Sequence, residues 1–461
     1  MKYLDGRVAR TQRLASGWLG LNAGGALGPH STTFRRRGTL ASSRRRENGR
    51  AVKVVPYRER LTPHMRILLL NEYFPPDTSA TAKMAAAVAE ALAEHHDVTV
   101  LCGRPSYDPA ERHPFYLRRR EKRGNVIVER VGSTTFARFR MLGRLSNYIS
   151  YLGLAIPRAL TVRADAVLAM TDPPIAGIVG ALIARLKRCP FIYNIRDLYP
   201  EMALSGGIVR AACWVKVWER LHCWALRHAA RVIVLGEDAR ERIVAKGLDP
   251  ARVVVVRDGV RTLEVTAPHS NHPVAREIRS GFSFVVLHAG NLGYYGAWET
   301  LIEAARILNG DGVGFVFVGD GAMRPQIEAF ANGCSSVRFL PFRPFHEVPY
   351  VLAAGDIHLV TIRPGLEGIV VPSKLYPILA AGRPVLVLAP KASDSARLVE
   401  RSGCGVLADP GDPAGVAAVV RELARNPDRI ARMGQRAREI APDFAAEKEL
   451  QLFTRVVEET L

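Results

Sequence analysis

The stretch that decides the fold runs from residue 283 to residue 322. Ser283-Phe-Val-Val-Leu-His288 is an apolar run, and Ala289-Gly-Asn-Leu-Gly-Tyr-Tyr-Gly296 is a glycine turn. Residues 297–309 then carry apolar side chains at helical spacing. Gly314-Phe-Val-Phe-Val318 is a second apolar run, and Gly319-Asp-Gly-Ala322 closes it. Strand, glycine turn, helix, strand is the unit that builds parallel sheets covered on both faces.

The same alternation continues outward. Strands are expected at 336–340, 356–361, 384–388 and 404–407. Helices are expected at 297–309, 322–332, 345–353, 373–381, 393–402 and 413–425, and a helical tail at 427–459 is broken at Pro442. Toward the N-terminus the strand-like runs are 66–71, 97–102, 125–131, 165–170, 190–194, 231–235 and 252–256, with helical stretches such as 81–95 and 174–187 between them. Residues 261–281 are mostly polar and contain Pro268 and Pro273, which marks a domain boundary. Two doubly wound α/β domains in series make a cleft between their strand C-termini, where such sheets bind ligands.

Length and composition agree. A chain of 461 residues, 48% hydrophobic and 23% charged, is globular rather than disordered, and its length suits two or three domains. Its six cysteines form no C-x-x-C pair, which speaks against a zinc ribbon or disulfide scaffold and fits a reducing cytoplasm. No apolar run is long enough to span a membrane, and no secretory h-region opens the chain. The formal net charge is +20, of which residues 1–64 carry +11. That segment, with Arg35-Arg36-Arg37 and Arg44-Arg45-Arg46, is expected to be a disordered basic extension. Two readings compete for it: an arm for an acidic partner, or an upstream addition to a protein that starts at Met65.

Several turns on these strand ends carry candidate chemistry. Asn71 to Ala82 leaves one strand and opens a helix; Ser79 or Thr81 either caps that helix or, with it, faces an anion or sugar hydroxyl. The turn 288–296 is not G-x-G-x-x-G, so the dinucleotide fingerprint fails, but Gly290, Gly293 and Gly296 allow close backbone approach to a phosphate. Val318-Gly-Asp-Gly-Ala322 is a second glycine turn in the same domain. In residues 363–386, Pro372-Ser373 opens a helix with Lys374 in its first turn, where a cation opposes the helix dipole unless a diphosphate compensates it. The alternative is a solvated lysine. Tyr193-Asn-Ile-Arg-Asp-Leu-Tyr-Pro-Glu201 puts Arg196, Asp197 and Glu201 on a strand's C-terminal edge, or else forms a local Arg–Asp ion pair.

Five motifs in order resemble the family 4 glycosyltransferases of GT-B fold, in the branch of L-fucosamine-transferase-like and colanic-acid-type enzymes. They are YFPP after the first strand, GRPSY at 103–107, RDLYPE at 196–201, GNLG at 290–293, and EGIVVPSKLY with AAGRPVL across 367–386. The resemblance implies an acceptor-binding Rossmann-like domain over 65–262, a nucleotide-sugar-binding one over 263–441, and a C-terminal helix at 442–461 that crosses back onto the first. It implies a retaining, metal-independent hexosyltransferase without a cofactor, and the chain contains no Asp-x-Asp triplet. The donor is a UDP- or GDP-sugar. Gly290, Asn291, Gly293, Gly319, Asp320, Gly321, Glu367, Pro372, Ser373 and Lys374 match its binding positions. Arg196, Asp197 and Lys374 match the reaction centre, and Ser79, Ala80, Thr81 and Glu201 lie on the acceptor side.

The sequence departs from the family at three places. Pro377 and Ile369 occupy the positions of the Glu-x7-Glu pair, and Glu367 is out of register with its first glutamate. Ser79-Ala80 replaces a loop glycine, and the 290s loop lacks a basic residue. A membrane-facing surface is also expected from Arg118, Arg119, Arg120, Lys122 and Arg123, and from 137–163, where Arg138, Arg140, Arg144, Arg158 and Arg163 alternate with Leu145, Tyr148, Ile149, Tyr151, Leu152, Leu154 and Ile156. A core-facing helix with a basic edge is the alternative. The leading expectation is transfer to a lipid-linked saccharide in cell-surface polysaccharide assembly, by a cytoplasmic protein peripheral on the inner face of the cell membrane. An epimerase of the same fold and a non-catalytic homologue remain open. A nucleic-acid partner is disfavoured because the charge concentrates in a separable tail.

Overall fold

The computed structural model describes residues 64–106, 114–136, 141–207, 213–260 and 272–461. The expected disordered extension, except His64, lies outside the described residues, as do Arg138 and Arg140. Among the described residues the chain forms two sheets. The first contains β1 (Arg66–Leu70), β2 (Asp97–Cys102), β3 (Arg118–Arg123), β4 (Val126–Val131), β5 (Ala166–Ala169), β6 (Phe191–Asn194), β7 (Arg231–Val234) and β8 (Val253–Val255). Their spatial order is β3-β4-β2-β1-β5-β6-β7-β8, parallel throughout except for the β3–β4 pair. The second contains β9 (Phe284–Ala289), β10 (Val313–Val318), β11 (Val337–Leu340), β12 (Ile357–Thr361), β13 (Val385–Leu388) and β14 (Gly405–Ala408). Its order is β11-β10-β9-β12-β13-β14, all parallel.

Each sheet is apolar on both faces because helices cover both. Along β1, Leu68 and Leu70 enter one core while Ile67 and Leu69 enter another. Along β9, Phe284 and Val286 face one core, Val285 and Leu287 the other. This two-residue period explains why the strands read as unbroken apolar runs rather than as alternating ones.

In both sheets the winding reverses beside the first strand, between β1 and β5 and between β9 and β12. At these switch points the outgoing loops diverge and leave a crevice. The loops are tied across it: Glu72 N donates to Asp172 O at 2.8 Å in the first sheet, and Arg363 N to Tyr295 O at 2.8 Å in the second.

The C-terminal chain returns to the first sheet. Helix Pro427–Ile440 is followed by a 3-10 turn at Ala441–Phe444, where Pro442 stops the α-helical bonding, and then by helix Ala446–Glu458. Phe453, Val456 and Val457 of that last helix bury themselves beside Ile67, Val88 and Leu92. Val260 pairs with Ala445 where the strands of passage cross. Gly259 sits there at φ +64°, and a Cβ on it would lie 2.8 Å from Ala446 Cα, so only glycine fits the crossing.

The structure adds detail to both halves of the expected basic surface. Residues 118–123 form the antiparallel edge strand β3, whose five basic residues stay exposed while its arginines pair with carboxylates. Glu129 on β4 is buried and accepts from Arg118 (3.0 Å) and Arg158 (2.9 Å), with Arg120 3.5 Å away. Arg130 donates to Glu121 at 2.7 Å, and Arg123 to Glu90 at 3.1 Å. A run of like charges is legible in sequence, while its partners on the facing strand are not. The segment 137–163 contains the helix Met141–Thr161, with Asn147, Tyr151, Leu152, Ala155 and Ala159 on its buried face. Tyr151 and Leu152 therefore belong to the core, but Leu142, Leu145 and Ile149 are exposed.

Candidate active site

At the switch point of the second sheet the two glycine turns pack on each other. Leu292 N donates to Asp320 O at 2.8 Å and Gly290 N to Val318 O at 2.9 Å. A Cβ at Gly319 would lie 1.9 Å from Gly290 O, and one at Gly321 2.5 Å from both Asn291 Oδ1 and Leu292 O. Gly290, Asn291, Gly293, Gly319, Asp320 and Gly321 thus form one continuous backbone surface. It is pinned from below by Trp298 Nε1 donating to Gly293 O (2.7 Å) and Tyr295 OH donating to Asn291 O (2.6 Å). Bare peptide backbone, free of side-chain bulk, is what close approach to a phosphate requires.

Lys374 reaches the same surface, but not in the manner expected. The helix it precedes is only Leu375–Ala380, and Lys374 is its N-cap residue rather than part of the first turn. Its amine is not solvated either: Nζ donates to His288 Nε2 at 3.0 Å and stands 3.7 Å from where a Cβ on Gly290 would be. Although the residue keeps some surface in water, burial of the amine pulls its pKa down to about 7. His288, wholly buried and next to this amine, is held well below the usual imidazole range, first by burial and then by Lys374. At neutral pH the amine is therefore about half protonated, and the imidazole beside it is neutral. Pro372 and Ser373 lead into this turn, and Ser373 is exposed. Glu367 lies earlier on the same loop; its carbonyl accepts from Arg242, while its buried Oε2 has no hydrogen-bond partner.

On the first sheet, Arg196 and Asp197 leave β6 at its C-terminal edge. Arg196 does not pair with its neighbour; its Nη2 donates to Asp258 Oδ1 at 2.5 Å, across from the end of β8. Asp197 is left with a pKa raised to about 6, by burial first and then by Asp172, with Arg196 opposing. Glu201 does not join them. It opens the short helix Glu201–Ser205 and pairs with Lys246 at 2.5 Å, where Glu219 also binds. Ser79 caps helix Ala80–Leu92 by accepting from Ala82 N at 3.0 Å, which leaves Ala80 and Thr81 in the first turn. One turn on, Lys83 stands over the Phe345 ring of the second domain at 5.9 Å.

A seam of charge joins the two sheets' edges. The helices Glu237–Ala245 and Asp394–Ser402 point their N-termini at each other, and each is capped by the other's aspartate. Asp394 N donates to Asp238 Oδ2 (3.0 Å), and Glu237 N to Asp394 Oδ1 (3.1 Å). Arg257 Nη2 completes the cluster on Asp394 at 3.0 Å. Neither Asp258, Asp172, His288 nor this cluster was singled out in the sequence. The strand-end runs that contain them, Met170-Thr-Asp-Pro-Pro174 and Val256-Arg-Asp-Gly259, do carry a signal, since both put polar residues on the active edge.

Both halves of the chain match known families. The glycosyl transferase 4-like domain family matches residues 79–259, and the glycosyl transferases group 1 family matches 283–426. A probable glycosyltransferase WbjE of Pseudomonas aeruginosa is 27% identical over 270 residues, covering 57% of this chain and 66% of that protein, just under two thirds of its length. A putative colanic acid biosynthesis glycosyl transferase WcaI of Escherichia coli (strain K12) is 23% identical over 378 residues, covering 78% of this chain and 92% of that protein. Among solved structures, Anabaena Alr3699/HepE in complex with UDP superposes with a TM-score of 0.61 at 20% identity, over 86% of this chain and all of that one.

Proposed function

This chain belongs to the glycosyltransferases that join a 4-like domain to a group 1 domain in the GT-B fold, and we propose that it moves a hexosyl group from a UDP- or GDP-sugar to a lipid-linked saccharide in cell-surface polysaccharide assembly. The observation that carries the donor side is the placing of Lys374 and His288 beside the bare backbone of Gly290–Gly293 and Gly319–Gly321 at the switch point of the second sheet. A buried amine near neutrality takes up a proton when a diphosphate binds, and its charge then opposes the negative charge that builds on the leaving group. The fold neighbour solved with UDP and with UDP-glucose supports a uridine donor. The biosynthetic setting follows the name of the colanic acid relative.

Transfer proceeds with retention and without a metal ion, by positioning and by charge stabilisation. Arg196 and Asp197 occupy the reaction centre. Arg196 is fixed by Asp258, and Asp197 accepts the hydrogen bond of the incoming hydroxyl. Ser79, Ala80 and Thr81 line the acceptor side. Glu201 serves the Lys246 cluster and positions the loop that carries Asp197. The protein works on the inner face of the cell membrane, against which Leu142, Leu145 and Ile149 are free to lie.

Titration calorimetry with UDP, GDP and their sugars tests the donor reading. Lys374→Ala is expected to weaken nucleotide diphosphate binding about ten- to a hundredfold, the range for loss of a charged hydrogen bond. Unchanged affinity in that variant would overturn the assignment of the 363–386 segment.

A further inference from the structure

Two loops carry the proposed chemistry, and each is gripped by an arginine of the other domain. One loop, 363–374, ends at Lys374; the other, 196–206, opens with Arg196 and Asp197. Arg242, on the helix Glu237–Ala245 between β7 and β8, donates through Nε to Glu367 O and through Nη2 to Gly365 O at 3.0 Å. Arg363, just past β12, donates through Nη2 to Ser205 O at 2.7 Å, at the end of the short helix Glu201–Ser205. Its own amide donates to Tyr295 O at 2.8 Å, so a single residue links the glycine turn to the reaction-centre loop. All these acceptors are main-chain carbonyls. The contacts therefore fix the path of each loop rather than the pose of a side chain.

The loops also lie against each other. The Gly368 amide donates to the carboxylate of Asp238, one turn before Arg242 on the same helix. A Cβ at Gly368 would lie 2.5 Å from Asp238 O, and φ is +71°, so the donor loop rests on the helix backbone itself. Gly368, Ile369 and Val371 line one small cavity together with Ile195, Arg196 and Leu198. The arginines are not what joins the domains. The reciprocal caps of Asp238 and Asp394 do that, with an apolar core that runs from Ile195 and Leu198 to Leu366 and Ile369. What a guanidinium adds is direction: its donors lie in a fixed plane, and its hydrogen bonds weaken steeply once their geometry is lost. Direction matters where a misplacement of about 1 Å can cost about a hundredfold in rate.

We propose that Arg242 and Arg363 are positioning residues for sugar transfer: together they form a reciprocal clasp that holds the donor loop and the reaction-centre loop in the register at which Lys374 and Asp197 serve one substrate pair. This deepens the proposed function and rests on its placing of those two residues. Loss of the clasp lets the loops drift, while the glycine surface, pinned separately by Trp298 and Tyr295, stays intact. The clasp therefore governs turnover and leaves nucleotide affinity nearly alone.

Hydrogen–deuterium exchange, calorimetry with UDP, and turnover of UDP-glucose read as UDP release test the clasp on the full chain. In the unliganded protein Arg242→Gln and Arg363→Gln are each expected to speed exchange about fivefold or more in both 196–206 and 363–371, the scale of a lost charged hydrogen bond. Arg397→Gln, which removes an exposed fork at the same seam, is expected to change neither loop. In the two clasp variants UDP affinity should stay within about threefold, and kcat should fall about tenfold or more at nearly constant KM. Arg242→Lys, which restores one bond, should recover part of kcat. Three outcomes overturn the proposal. Exchange quickens in one loop but not in the other, which makes each arginine a local prop; or kcat falls only in step with UDP affinity, which places the effect in the donor site; or melting temperature drops with faster exchange across both sheets, which makes the arginines part of the joint between domains. Failure of the donor reading looks different. The wild type then neither binds UDP nor releases it from UDP-glucose, and exchange in the unliganded protein still decides the clasp.

Discussion

The two sheets bring their sites to the same kind of place, a switch point at the strand C-termini, and build them from opposite materials. The second sheet uses backbone: two glycine turns lie against each other, and Gly290 and Gly319 take positive φ so that no side chain intervenes. The first sheet uses buried charge, with Arg196, Asp258, Asp197 and Asp172 converging from three strand ends. A backbone site needs close packing and tolerates little change in shape. A charged site needs balance and responds to pH. The two halves should therefore fail in different ways when perturbed.

The largest effect is expected on the backbone side. Gly319→Ala introduces a Cβ 1.9 Å from Gly290 O at φ +150°, and neither partner is a flexible side chain. Strain and displacement together should cost about 2–5 kcal/mol and lower nucleotide affinity in parallel, because the displaced atom belongs to the surface proposed for the phosphates. Gly310 is the control: φ is +93° but nothing lies within 4 Å of a Cβ, so Gly310→Ala should cost only about 1 kcal/mol, from strain alone. Chemical denaturation of both variants checks the difference. Equal losses would mean that the two turns do not depend on contact with each other.

On the charged side the expected change has the opposite sign. Asp197 has a folded pKa of about 6, raised above the ordinary aspartate value of 3.8 by burial. Folding thus favours its protonated form. The associated stability is fully present below about pH 4 and is lost as pH rises through 6, by at most about 3 kcal/mol for a shift of two units. Asp197→Asn should remove this pH dependence and stabilise the protein by about 1–3 kcal/mol at pH 8, with little change at pH 4. Sugar transfer should fall in the same variant, since the ionised acceptor is gone. Urea midpoints at pH 4, 6 and 8 give the first result and product assays the second. Destabilisation at pH 8 would show that the carboxylate holds the fold rather than waiting for a substrate.

This contrast in materials explains what could be read from the chain beforehand. Strand runs, glycine turns and the break at Pro442 are local: the residues that cause them lie within a few positions of their effects. The bare backbone surface was legible because Gly290, Gly293, Gly319 and Gly321 are unusual residues at strand ends. The charged site was not, because Arg196 finds Asp258 rather than its neighbour Asp197, and Arg257 finds Asp394 across 137 residues. The partners of the run Arg118–Arg123 were hidden for the same reason, since Glu129 meets Arg118 and Arg120 only once β3 lies against β4. Lys374 was placed correctly beside the glycines but with the wrong cause. Its partner is His288, 86 positions away, rather than the dipole of a six-residue helix.

The smallest effect is expected at the seam between the two halves, where a surface pair lies one turn from a buried one. Arg397 Nη1 and Nη2 donate to Glu241 Oε1 and Oε2 at 2.5 and 2.8 Å, a two-pronged fork that joins the helices Glu237–Ala245 and Asp394–Ser402. By geometry alone it is the best ion pair of the seam. Yet Glu241 is exposed, water competes for both oxygens, and such pairs contribute about 0–1 kcal/mol. Its carboxyl is held below the ordinary range, chiefly by the hydrogen bonds from Arg397. The small contribution is therefore present above the unfolded pKa and is lost as pH falls through the lower folded one. Asp394 and Asp238, by contrast, are buried, and each caps the opposing helix. If the buried caps hold the halves together, Glu241→Gln should shift the denaturation midpoint barely at all, and the shift should vanish in about 1 M salt, where screening acts within about 3 Å. A loss that persists in salt, or one larger than about 2 kcal/mol, would place the junction on the surface fork and reverse the ranking of buried over exposed charge at the seam.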